Sequence, residues 1–406
     1  MLSGVLCDLR CDLVRNHSAS QFQKKMTERI VDWSDLPKEL LPCIGKSLES
    51  SAEVLRFRSV CASWRSSIPS FREISPSLPL PFPNPISPRG EAYVSLTTFY
   101  RLELAHQNPN PSEGWLIRVE ESEPGKIRFL NPLSGRHIRV LPESFPKLIN
   151  LLDFRVLEVS KAYKVGKSLS GSSFTTVNKV VLFPNSAWTR AEDCVVFIIY
   201  LDGNLGYAKY GDKRWTLVDK QYSHYDDIIV YKGQFYVIDR LGTVSWIDSS
   251  LKLIQFSPPL CGLGSQKYLV ESCGELYVLD RYFDGERSQR RYRDENIFAD
   301  LPSSHVCPRT IDFKVYKLDQ EWGTWVLVKN LSDTMFILSN DCSFSVSARE
   351  FPACKGNCIY FTDENGFFVF NLGDGSFSKI QCFPHFSHIF RPPPSWLSPN
   401  LTSSKC

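Results

Sequence analysis

This 406-residue sequence has no long hydrophobic run, almost no net charge and none of the compact motifs that mark the common enzymes. Its apolar stretches, such as residues 194–200, fall far short of the roughly 20 residues a bilayer requires, so no membrane partner is expected. Lys and Arg number 47 against 44 Asp and Glu, a net +3, and imply no general affinity for nucleic acid. GxSxG, HExxH, a Walker loop and GxGxxG are all absent, and Gly262-Leu-Gly264 lacks the third glycine and the strand–helix setting. Only seven histidines occur; His385 and His388, near Phe383, Phe386 and Phe390, read as packing or loop residues. Asp202, Asp239, Asp280 and Asp363 end or follow strand-like runs, where turn chemistry accounts for them. Near the start, Asp8, Arg10 and Asp12 interrupt Leu2, Val5, Leu6 and Leu9, which breaks a signal-peptide core. Residues 1–30 read as a disordered leader. The 13 cysteines, without secretory context, read as buried free thiols in a reducing compartment, nucleus or cytoplasm. Cys7/Cys11 and Cys354/Cys358 have CxxxC spacing but no second pair or histidines at metal spacing, so neither metal nor cofactor is expected.

Apolar residues are instead concentrated where the chain has little room to bury them. Over residues 31–68, Leu36, Leu40, Ile44 and Leu48 recur every four residues, with Leu41 beside them. Pro37 suits a first helical turn and Glu39 the positive helix start. Ser50-Ser51-Ala52-Glu53 reads as a capping box, opening a second helix with Val54, Leu55, Val60, Trp64 and Ile68 inward. A unit of about 40 residues cannot bury this much within itself. Either a partner protein covers the surplus or the hairpin packs on the rest of the chain.

Leu36-Pro37, Glu39-Leu40-Leu41, Ile44 and Leu48, then Leu55, Val60-Cys61 and Trp64-Arg65, resemble the F-box. That family docks on the SKP-family linker of a cullin–RING ubiquitin ligase. The resemblance implies Leu36, Pro37, Leu40, Ile44, Leu55 and Val60 as docking residues, with Trp64 packing between the helices.

The next 22 residues, 69–90, change texture. Pro69, Pro76, Pro79, Pro81, Pro83, Pro85 and Pro88 favour extended polyproline geometry at roughly 3 Å per residue, a stiff spacer or an SH3-type ligand. From residue 91 to 398 the pattern is short runs of Val, Ile, Phe, Tyr and Trp between turns such as Lys232-Gly233 and Asp374-Gly375. The runs form sets of about four: 93–104, 114–119, 126–130 and 137–141; 179–183, 193–200, 203–210 and 215–218; 226–231, 234–238, 244–247 and 252–256; 267–271, 275–279, 313–318 and 325–328; 335–346, 357–361, 366–371 and 377–380. The segments starting at Gly233 and Gly274 look alike and lie 41 residues apart; a third, from Gly356, lies 82 beyond Gly274, one repeat plus an insertion. The predicted fold is mainly β, a propeller of five or six four-stranded blades preceded by a small helical F-box. Residues 155–165 are assigned to a further blade.

There are no Gly-Gly doublets of the kelch kind and no Trp-Asp endings of the WD kind. The segments 339–348, 354–363 and 366–372, the closing Pro392-Pro-Pro-Ser-Trp-Leu and the turn Asn131-Pro-Leu-Ser-Gly are similar to plant F-box proteins of the KIB/SKIP type. The likeness spans roughly residues 31–398. The stretch 282–309 reads as an inserted loop; Arg287, Arg290, Arg291 and Arg293 alternate with Glu286, Asp294 and Glu295, fitting a solvated loop, a substrate contact or a nuclear-import signal. The resemblance implies a substrate adaptor of an SCF-type (SKP–cullin–F-box) ubiquitin ligase, with the linker and, through it, cullin and RING subunits as partners. The other readings are a scaffold or decoy that delivers nothing, and an enzyme or ligand binder built on a propeller.

Overall fold

The structure, a computed structural model, describes residues 36–383 and 386–387 with interruptions, the longest at 70–79, 105–114, 139–153, 167–176 and 285–308. The leader with Cys7/Cys11, residues 31–35, Asp202, the interior of the 282–309 insertion, His385, His388 and the closing 392–397 lie outside the described residues.

Among the described residues, three short helices come first: α1 (Leu40–Lys46), α2 (Ser51–Ser59) and α3 (Ala62–Ser67). Two were expected; the second breaks because Cys61 is extended, at φ −160° and ψ 177°. The Ser50 hydroxyl accepts from the Glu53 N–H at 3.2 Å, and the Glu53 carboxylate accepts from the Ser50 N–H at 3.1 Å, the reciprocal capping box. Leu41, Val54, Phe57 and Ile68 form the buried centre of this unit. Gly45 is required there, since a Cβ would come within 2.4 Å of Ile68.

Apart from single 3-10 turns at Ala191–Asp193 and Ala348–Glu350, the regular structure of the described residues that follow is strand, arranged as a five-blade β-propeller. Blade 1 holds β1 (Leu80–Pro83), β2 (Glu91–Leu104), β3 (Trp115–Glu123), β4 (Lys126–Leu130) and β5 (Phe154–Gly166). Blade 2 holds β6 (Val177–Phe183), β7 (Val195–Tyr200), β8 (Asn204–Lys209) and β9 (Thr216–Leu217). Blade 3 holds β10 (Tyr225–Tyr231), β11 (Gln234–Asp239), β12 (Val244–Ile247) and β13 (Leu253–Gln255). Blade 4 holds β14 (Gln266–Ser272), β15 (Glu275–Phe283), β16 (Thr310–Asp319) and β17 (Thr324–Val328). Blade 5 holds β18 (Thr334–Leu338), β19 (Ser343–Ser347), β20 (Cys358–Asp363), β21 (Gly366–Asn371) and β22 (Phe377–Ile380). The inner strands β5, β6, β10, β14 and β19 follow one another around the axis. Lys232-Gly233 and Cys273-Gly274 turn the first hairpins of blades 3 and 4 with positive φ at both residues, the geometry that matches strand twist.

Four expectations change. Residues 155–165 form no extra blade: β5 pairs along β2 from Tyr93↔Gly166 to Leu104↔Phe154 and is the inner strand of blade 1. Of the strand expected at 137–141, residues 139–141 lie outside the described residues, and the described part shows a single bridge, Leu130↔His137. The run 335–346 is a hairpin, β18 and β19, and β20 then pairs parallel to β18. Of the proline-rich stretch, Leu80–Pro83 is not a free spacer; it pairs antiparallel with β2, buries Leu80 and Phe82, and its Pro83 carbonyl accepts from the Trp215 indole at 2.7 Å. β15 itself includes Tyr282 and Phe283, and the ends of the insertion meet where the Asp284 N–H donates to the Arg309 carbonyl at 2.9 Å.

Each blade interface buries its own apolar cluster, from Val94, Val165 and Val196 between blades 1 and 2 around to Phe99, Ala162, Met335 and Phe344 between blades 1 and 5. Ion pairs reinforce the ring. Lys179 reaches Asp227 at 2.8 Å between blades 2 and 3. Arg118 of blade 1 pairs with Asp341 of blade 5. Turn chemistry explains Asp239, which accepts from the Thr243 N–H at 2.8 Å. It does not explain Asp280 or Asp363. Asp280 is fully buried beside Lys267 at 3.1 Å, and a Cβ on Gly262 or Gly264 would lie 2.3 or 2.1 Å from its carboxylate, which accounts for that glycine pair. Asp363 accepts from the Thr310 N–H and hydroxyl, each at 3.0 Å, and links blades 4 and 5.

Candidate partner-docking surface

Helix α2 has room for one inward row. Val54 and Phe57, three apart, fill it, so Leu55 is rotated outward and Val60, at the helix end, is left on the surface. The expectation that both point inward is corrected: Leu55 is 52% and Val60 51% exposed. Leu40, on the first turn of α1, is 49% exposed, and Pro37 just before it is also exposed. Leu36 and Ile44 are half-buried against the central cluster. Trp64 is half-buried there too, its ring centroid 4.6 Å from that of Phe57. The six residues singled out from the sequence thus divide into an exposed group, Pro37, Leu40, Leu55 and Val60, and a pair that also supports the helices. Phe57, buried at the centre, was missed; its three-residue spacing from Val54 was the available signal.

Arginines tie the helices to one another through their backbones. Arg58 donates to the carbonyls of Arg65 at 3.0 Å and Ile68 at 2.6 Å, and Arg65 donates back to the Arg58 carbonyl at 3.1 Å. The unit is also fastened to the propeller. Trp188, in the connection between β6 and β7, packs on the helical cluster and its indole donates to the Leu48 carbonyl at 2.9 Å. Arg56 donates to the Val156 carbonyl of β5. Nothing near Trp188 in the sequence marks it for this role, because its partner lies 140 residues away.

The exposed aliphatic residues can associate but have no reactive group of their own. They would add to an interface that, at standard size, covers on the order of 800 Å² on each partner.

Comparison with known proteins bears on both parts. The family model described as KIB1-4 beta-propeller matches residues 93–371. "F-box protein SKIP23" of Arabidopsis thaliana is 33% identical over 405 residues, covering 91% of this chain and 96% of that protein. "F-box protein At4g35733" of the same plant is 34% identical over 372 residues, covering 87% and 95%. "F-box protein At2g17690", again from Arabidopsis thaliana, is 32% identical over 433 residues, covering 88% and 99%.

Proposed function

Because the chain belongs to the plant F-box proteins that carry a KIB1-4 β-propeller, we propose that it is the substrate adaptor of a SKP–cullin–F-box ubiquitin ligase. The helices of residues 31–68 dock the SKP-family linker through Pro37, Leu40, Leu55 and Val60, with Leu36 and Ile44 at the edge of the contact. The linker brings cullin and RING subunits, and the propeller holds a target protein. The chain catalyses nothing itself. Its task is positional: a target lysine must be held near the charged ubiquitin carrier, which requires contact and rigidity rather than acid–base groups. It works in the nucleus or the cytoplasm.

One observation carries this reading. The helical unit is already packed on the propeller through Trp188, and its outer side still exposes about half of Leu40, Leu55 and Val60. The test is proximity labelling under proteasome inhibition, comparing the intact chain with a deletion of 31–68. Proteins labelled by both forms but stabilised only by the deletion support the adaptor. Linker binding without cullin, or with no protein whose half-life depends on the chain, replaces it with a scaffold or decoy.

A further inference from the structure

A cleft of about 260 Å³ opens at the junction of blades 1, 2 and 5. It is lined by the turn that ends at Arg136, by Lys164 of β5, by Asn178 and Lys179 of β6, and by Asp341. That volume is below the roughly 300–1,000 Å³ of sites for drug-sized molecules, so it suits a single side chain rather than a cofactor.

The cleft has a cationic surplus. Arg136, Lys164, Lys179 and Asp341 line it: Lys164 Nζ is 3.6 Å from the Asp341 carboxylate, Lys179 is 2.8 Å from Asp227, and Arg136 is exposed, while Arg118, fully buried and outside the lining, pairs with Asp341. Among the described residues, three lining cations and Arg118 stand against the carboxylates of Asp341 and Asp227. Glu120, which also favours the charge on Arg118, lies 3.8 Å from His137. Burial opposes the charge on Arg118 and on Lys179, but the adjacent aspartate outweighs it in each case, raises the pKa and keeps both protonated. Burial would also protonate Asp341, but Arg118 first and then Lys164 hold its pKa down at about 2. Lys164 is the loosest member. Its contacts to Asp341 and to the Gly135 carbonyl, at 3.6 and 3.5 Å, are too long to use up the three donors of an ammonium.

The Asn131-Pro-Leu-Ser-Gly turn is shaped for this position. The Asn131 side-chain oxygen accepts from the N–H groups of Leu133 and Ser134, both at 3.0 Å, and the Gly135 N–H donates to the Asn131 carbonyl at 2.9 Å. Gly135 has φ +64°, and a Cβ there would come 2.9 Å from Arg118 Nη1 and 3.1 Å from Lys164 Nζ. Glycine lets the turn cross directly over both cations and present Arg136 beside them.

We propose that this cleft receives one anionic side chain, a carboxylate or a phosphate, from an extended segment of the protein the propeller captures; this rests on the adaptor reading above. The test is fluorescence anisotropy on the full-length chain with three labelled Gly/Ser peptides, one uncharged, one carrying glutamates and one carrying phosphoserines. At least one acidic peptide should bind in preference to the uncharged one and weaken as salt rises; which of the two binds decides between carboxylate and phosphate. Arg136→Gln and Lys164→Gln should each weaken it about tenfold, the loss of one charge-assisted contact. Arg214→Gln, an exposed cation on blade 2, should leave it unchanged. Arg136 is exposed, so its variant keeps the fold, and a thermal melt checks both cleft variants. No preference for either acidic peptide, or binding within twofold of wild type in both cleft variants, overturns the proposal. If the peptides fail while stabilised targets still depend on the chain, the cleft alone is refuted. If acidic peptides bind at the cleft but no protein's half-life depends on the chain, the adaptor reading falls, and with it the source assigned to the anion.

Discussion

Truncating Leu40, Leu55 and Val60 to alanine together separates docking from folding. Each side chain is about half exposed in the free chain, at 49, 52 and 51%. Full burial of such a side chain stabilises by roughly 1.5–3 kcal/mol, so the exposed half of each can add about 1 kcal/mol to an interface. The three together should cost about 3 kcal/mol of linker binding, roughly a hundredfold in Kd. The same change should hardly touch the fold, since exposed substitutions away from caps and core usually stay within about 0.5 kcal/mol. Leu41→Ala is the opposite control. Leu41 is 1% exposed, and its truncation should cost about 2–5 kcal/mol of the helical unit and lose binding only through unfolding. The assay is biolayer interferometry with a purified SKP-family linker, with a thermal melt of every variant. A triple variant that binds within threefold of wild type, at an unchanged melting temperature, would refute the assignment of this surface.

Three further outcomes follow from the packing. A fragment starting at residue 91 lacks β1 and with it the buried Leu80 and Phe82, so urea melts should find it less stable by about 3–5 kcal/mol than one starting at 77; equal midpoints would show that β1 is dispensable. Trp188→Ala removes an indole bond and a packed ring at the helix–propeller junction, and amide exchange should rise in α1–α3 while blades 3 and 4 keep their protection. Asp341 has a folded pKa of about 2 against an ordinary 3.8, so its extra stabilisation is present above about pH 4 and is lost as pH falls toward 2. The pH-dependent part of the gap between wild type and Asp341→Asn should therefore be about 2 kcal/mol, full at pH 6 and shrinking below pH 4; denaturant melts that give a constant gap from pH 6 to 3 would count against the pairing.

The sequence disclosed this fold wherever local chemistry decides it. Ser50 and Glu53 announced the start of α2, and Lys232-Gly233 a hairpin, because each is a short-range hydrogen-bonding or φ requirement. The alikeness of the segments at Gly233 and Gly274 was real: β11 and β15 are the second strands of neighbouring blades. Reading failed where strand neighbours are distant. β5 carries Glu158, Lys161 and Lys164, charges whose partners include each other, Asn185 and Asp341, and its pairing strand β2 is distant in the sequence, so no local pattern marked it as the inner strand of blade 1. The hairpin of β18 and β19 turns through Ser339, Asn340, Asp341 and Cys342 without a glycine, so it looked like one long strand. The cleft was hidden for the same reason. Its Asn131 turn was noticed only as a family likeness, and the Arg118–Asp341 pair beneath it spans 223 residues, a separation no local pattern reports.

The two explanations open for the apolar surplus of residues 31–68, a partner protein or packing on the chain's own remainder, turn out to concern different faces. Packing on the remainder is real: Trp188 covers the cluster of Leu41, Val54, Phe57 and Ile68, and Arg56 and Leu48 bond across to the propeller. Had that contact consumed the surplus, Leu40, Leu55 and Val60 would be covered as well. They are not, because a short helix cannot turn both of its apolar rows toward one neighbour: Val54 and Phe57 point to the centre, and Leu55, one residue on, is carried about 100° around the axis. The inner face therefore sets where the helices sit on the propeller, and the outer face stays available. For an adaptor this division has a mechanical consequence. A linker bound at the outer face would be held at a set orientation to the blades rather than at the end of a free tether, so the distance from the captured protein to the ubiquitin carrier would be governed by the contacts of Trp188 and Arg56.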